Sequence, residues 1–148
     1  MNTPEINMIR KIAEEYLKIP VIFANQNYPR PHGNHIVIYL IDEKPVGFSE
    51  QDGNSFNKQF SIELCFDCVG ENPYPIANTL TMLWELPTVR EELGKNNVAW
   101  NKSFPLKNTT ILFDQKYQQR LTFEASFSIN KTITDKLEYI DEVTYGIN

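Results

Sequence analysis

The chain has 148 residues, 41% of them hydrophobic and 22% charged, values that suit one globular α+β core and exclude collagenous, disordered and membrane classes. Its formal charge of -5 comes from intermixed acids and bases, so it carries no basic stripe for gripping nucleic acid, although a mildly acidic wall suits a conduit that DNA passes without sticking. No apolar run nears the roughly 20 residues of a bilayer span, no signal peptide opens the chain, and two cysteines make no disulfide framework, which points to a reducing cytosolic birthplace.

Thr3-Pro4 is an N-cap and N1 pair, and Ile6, Ile9, Ile12, Ala13, Tyr16 and Leu17 follow at helical spacing, predicting an amphipathic helix over 4–18. Pro20 stops it, Val21 to Ala24 is a short apolar run, and residues 25–34 (NQNYPRPHGN) are a long polar loop. His35 to Ile41 is apolar on both strand faces, the pattern of a central strand or one covered by a partner subunit. Asp42 to Asn57, with Pro45, Gly47 and Asp52-Gly53, reads as a hairpin connection.

From Lys58 the period is two, with Phe60, Ile62, Leu64, Phe66 and Cys68 on one face and Ser61, Glu63, Cys65 and Asp67 on the other. Pro75 opens a second helix whose stripe is Ile76, Ala77, Leu80, Leu83 and Trp84, running to Pro87, and a short turn closes at Gly94. Strands are expected at 97–100, 109–113 and 137–145, and along the alternating run Leu121, Phe123, Ala125, Phe127, Ile129. This order predicts a mostly antiparallel sheet with two main helices packed on one face, in a single domain over 1–148.

Side chains able to do chemistry are sparse. Cys65 and Cys68 spell C-x-x-C, but on a strand positions i and i+3 face opposite ways and cannot share a metal or bridge easily. His32 and His35 lack a third ligand, and Glu63 and Asp67 sit about 13 Å apart at strand rise, too far to work on one bond. No nucleophile elbow or phosphate loop is present, and the sequons at Asn101, Asn108 and Asn130 have no meaning in a cytosolic product. We therefore expect no catalytic residue, no cofactor and no metal. A competing reading has Tyr28, Tyr39, Phe48, Phe56, Trp84 and Trp100 lining the pocket of a ligand-binding or enzymatic domain.

Three stretches together resemble the bacteriophage neck terminator, or tail terminator, family. They are Ala24-Asn25-Gln26-Asn27 with Pro29 and Pro31 running into a strand, Phe66 through Gly70-Glu71-Asn72 into a helix, and Tyr117-Gln118-Gln119-Arg120 heading an alternating strand. The chain departs from that pattern in having Gln118-Gln119 where acids often precede the arginine, and in Pro73-Tyr74-Pro75. The resemblance implies a virion protein without catalysis that caps the tail tube as a ring, commonly of six copies. Its implied partners are copies of itself, the tail tube protein and a head-completion or connector protein, with DNA passing through the lumen. A head completion or tube protein is the alternative within the same setting.

A head-to-tail ring needs two different complementary patches per subunit. The candidate contact residues are Asn25, Gln26, Asn27, Pro29, Arg30 and Pro31 in the first loop, Gly53 and Phe56 in the 42–57 connection, and Arg120. With the resemblance, Arg120 reads as a bidentate clamp on a neighbouring carboxylate; without it, as a solvent-facing charge.

Overall fold

In the computed structural model, residues 3–24 and 31–135 are described, the side chain of Phe113 excepted. Helix α1 spans Pro4–Leu17: Thr3 Oγ1 accepts from the Ile6 N–H, Pro4 occupies the first turn, and Lys18 ends the helix in the left-handed region at φ 56°. Glu14 ties α1 to strand β1 (Val21–Phe23), because its Oε2 accepts from both the Val21 N–H and Arg10 Nη1.

Strands β2 (His35–Asp52) and β3 (Ser55–Gly70) form one long antiparallel hairpin. The expected connection over 42–57 is therefore strand, and the chain turns only at Gly53-Asn54. Gly53 has φ 63° and Asn54 has no positive φ, the pattern of a tight turn with glycine first. The turn-like residues upstream are absorbed by bulges, one between Leu40 and Asp42 and a wider one between Val46 and Glu50 with Gly47 at φ 71°.

After the sheet's first half come α2 (Tyr74–Leu83) and α3 (Pro87–Lys95). The turn expected to close at Gly94 is a full helix reaching Lys95, which makes three helices among the described residues. Next are β4 (Val98–Ser103), β5 (Lys107–Asn108), β6 (Ile111–Phe113) and β7 (Lys116–Thr134). The sheet order is β1-β2-β3-β7-β4, with β5 and β6 also paired to β7, and every pairing is antiparallel except β1 with β2. The strand expected over 137–145 lies outside the described residues.

All three helices cover one face. Ile9 and Ile12 of α1, Leu80 and Leu83 of α2, and Val89 and Leu93 of α3 join Ile36, Ile38, Ile62, Leu64, Phe66, Phe123 and Phe127 in one buried cluster. Trp84 lies at its centre, edge-on to Phe127 with ring centroids 5.1 Å apart. The α+β architecture is the expected one: a mostly antiparallel sheet with its helices on one side.

Candidate functional site

The helix layer covers only part of this sheet, and the uncovered parts are the candidate surfaces. β7 alone is 19 residues long, roughly 60 Å at strand rise. At one end the strands run past the helices as an arm, comprising β2 from Val46, β3 up to Gln59 and the last residues of β7, and every residue from 41 to 53 is exposed. At the other end β6 and β7 make a short hairpin whose turn, Asp114-Gln115, has both φ values positive.

Both ends present apolar side chains to solvent. On the arm, Phe48 is 96% exposed, carried out by the wide bulge, and Ile133 is 70% exposed. On the hairpin, Leu112 is 63% and Tyr117 76% exposed. Large exposed apolar groups on protruding elements are costly in an isolated chain, which makes these two ends the candidate docking surfaces.

The sheet face opposite the helices is polar, and its centre is ordered by a chain of hydrogen bonds. Thr122 donates to Asp67 Oδ1 at 2.8 Å, its hydroxyl lies 2.7 Å from that of Thr109, and Arg120 Nε donates to Thr109 Oγ1 at 3.1 Å. Cys65 joins through its thiol, 3.8 Å from the same Asp67 oxygen. Burial pushes the Cys65 thiol up to about 12, and Tyr39, hydrogen-bonded to Cys65, is raised as well. The Cys68 thiol also rises to about 12, mainly through burial, but it lies on the helix-facing side in the core. The two cysteines thus point to opposite faces as their spacing requires, and neither is poised as a thiolate nucleophile.

Beside this network, Pro31, His32, His35, Val69, Glu71, Lys116 and other residues of the hairpin line an open groove of about 700 Å³. Its floor depends on a glycine. Gly70 has φ 150°, and a Cβ there would fall 2.0 Å from Asn34 Oδ1 and 2.7 Å from Asn34 Cα. His35 is buried, with Nδ1 2.9 Å from the Gly33 carbonyl and Nε2 without a partner among the described residues. Among the described residues, no group of three or more His, Cys, Asp or Glu side chains could hold a metal ion, and no helix is long and apolar enough to cross a membrane.

The predicted contact residues are spread over these surfaces. Asn25, Gln26, Asn27, Pro29 and Arg30 lie outside the described residues. Pro31 is at the groove, Gly53 is the arm's tip, and Phe56 sits beside it on β3 opposite Ile133. Arg120 is half-buried, anchored through Nε, and its terminal nitrogens make no hydrogen bond to a described residue. Of these exposed apolar residues, Phe48 falls within the 42–57 connection expected to carry contacts, whereas Leu112, Tyr117 and Ile133 were not among the residues expected to do so. Of the aromatics proposed to share a pocket, Tyr28 lies outside the described residues and the others are dispersed: Trp84 is in the core, Trp100 on β4 under Arg90, Tyr39 on β2, and Phe48 and Phe56 on the arm.

No curated protein matches the sequence. A family model described as phage neck terminator protein matches residues 7–148, which takes in α1 from Asn7, the whole sheet, the arm and the hairpin. The chain belongs to the phage neck terminator protein family and is a structural protein of the virion neck that works alongside other phage structural proteins.

Proposed function

We propose that the chain, acting as a single domain over 1–148, closes the tail as a ring of six copies, caps the tail tube, and joins it to the head-side connector without catalysing a reaction. The carrying observation is the shape of the sheet in a chain of this family. A strand system far longer than its helix cover ends in two protruding apolar tips, Phe48 and Ile133 at one end, Leu112 and Tyr117 at the other. A protein placed between a tube and a connector needs two such docking ends, and the arm and the hairpin supply them.

In this reading Arg120 offers its terminal fork to a carboxylate of a neighbouring chain, its own position fixed by Thr109. Pro31, Gly53 and Phe56 lie where subunits or tube meet, together with Asn25, Gln26, Asn27, Pro29 and Arg30. DNA crosses the lumen without being gripped, because the chain as a whole is acidic. Native mass measurement and negative-stain images of the purified protein, alone and with tail tubes, test the proposal. Closed rings seated on tube ends are expected; open-ended polymers would point to a tube subunit, and turnover of a substrate would remove the non-catalytic reading.

A further inference from the structure

The two outer edges of the sheet differ in charge and have related layouts. Over residues 42–52, β2 pairs only with β3 among the described residues, so its other side is an unpaired edge there. Residues 42–52 carry Asp42, Glu43, Glu50 and Asp52 against one base, Lys44. Glu43 is engaged by Lys131 at 2.8 Å, whereas Asp42, Glu50 and Asp52 are exposed and have no ion pair with a described residue. Between the acids sit Val46 and Phe48, both exposed.

On the opposite side, β4 and β5 pair only with β7 among the described residues. Residues 98–108 carry Lys102 and Lys107 and no acid at all. Both lysines are exposed, neither has an ion pair with a described residue, and between them lies the apolar turn Phe104-Pro105-Leu106, whose proline is exposed. Lys102 Nζ rests 4.7 Å above the Phe104 ring. One edge therefore reads acid, apolar, acid, and the other base, apolar, base.

Left bare, these edges are a liability, since unpaired strand edges template association. Opposite charge on two distinct edges of one chain disfavours like-to-like pairing and favours head-to-tail contact, the heterologous geometry that generates rings. We infer that the acidic β2 edge of one copy, with Phe48 as its apolar anchor, docks on the basic β4–β5 edge of the next copy around Phe104-Pro105-Leu106. The inference rests on the ring reading above and adds to it the surfaces, their polarity and the order in which they meet.

Charge exchange tests it. K102E combined with K107E, and separately E50K combined with D52K, should each weaken self-association by about tenfold or more, measured by sedimentation, with thermal melts confirming that each variant folds. Mixing the two variants should restore association, because every head-to-tail contact between unlike copies again sets an acidic edge against a basic one. Carbodiimide cross-linking of an equal mixture of ¹⁴N- and ¹⁵N-labelled wild-type protein should give intermolecular amides from Lys102 or Lys107 to Asp42, Glu50 or Asp52. Rings whose intermolecular links join other surfaces, or reversals that leave association unchanged, overturn the edge assignment and leave the ring reading standing. A wild-type chain that stays monomeric at every concentration and on tail tubes overturns both.

Discussion

Two stretches of one hairpin show how differently the same backbone can be used. Between Ile36–Ile38 and Phe66–Cys68 the paired strands lie under the helices, and the helix-facing side chains Ile36, Ile38, Phe66 and Cys68 are buried. A few residues along the same ladder, Val46 to Asp52 face Ser55 to Gln59, none of them in the helix-covered cluster, and every β2 side chain there is exposed. The hydrogen-bonded ladder continues through both. What changes is the source of free energy: burial under the helices in the first, and in the arm only cross-strand pairing, which by itself is marginal in water. The covered half therefore carries stability and leaves the arm free to carry contacts.

The contrast is sharpest in the core. Trp84→Ala should cost about 3–5 kcal/mol in urea unfolding, as expected for an aromatic truncated in a packed interior. Trp84→Phe should cost distinctly less, because it also removes an indole N–H that has no partner among the described residues. An arm-like response at Trp84, near zero, would break the distinction between the two regions.

Alkaline pH gives the next effect. Cys65 and Cys68 rise from 9.0 to about 12 on folding, so between those values the unfolded chain has lost protons that the folded chain keeps. Stability should be full below about pH 9 and fall steadily as pH rises toward 12. Replacing both cysteines with alanine should flatten that decline, whatever it costs at neutral pH. A decline unchanged in the double variant would mean that the thiols are not the cause.

Gly70→Ala probes the boundary between covered sheet and groove. The new methyl would overlap Asn34 at a φ of 150°, and about 2 kcal/mol of destabilisation is expected, with part of it relieved by adding Asn34→Gly. Thr122→Val comes next on the polar face: it leaves Asp67 Oδ1 without its 2.8 Å donor and should cost about 1–2 kcal/mol. The smallest change is expected on the arm, where Phe48→Ser should move stability by no more than about 0.5 kcal/mol and yet impair ring formation. A large stability loss there would show that the arm is part of the fold's energetics after all.

Much of the covered half was legible in the sequence. The Thr3-Pro4 cap and the spacing of Ile6, Ile9 and Ile12 marked α1 almost to the residue, and the alternation from Phe60 to Cys68 and from Leu121 to Ile129 marked β3 and β7 with the correct inward faces. The arm was not legible. Pro45, Gly47 and four acids between 42 and 52 carry the local signals of a loop, and only the partner strand reveals them as a bulged β-strand. The joining of Arg120, Thr109, Thr122 and Asp67 was equally hidden, because those residues are up to 55 positions apart.

By itself the sequence determined what local periodicity and capping can determine: where α1, α2 and the covered strands lie, which of their sides faces inward, and that the two cysteines point apart. Its short motifs also carried the family. Only the tertiary structure decided where the helices stop covering the sheet, and hence which strand edges and which aromatic groups remain bare. Periodicity reports the face a side chain takes relative to its own backbone; whether anything lies over that face depends on elements far away in the chain.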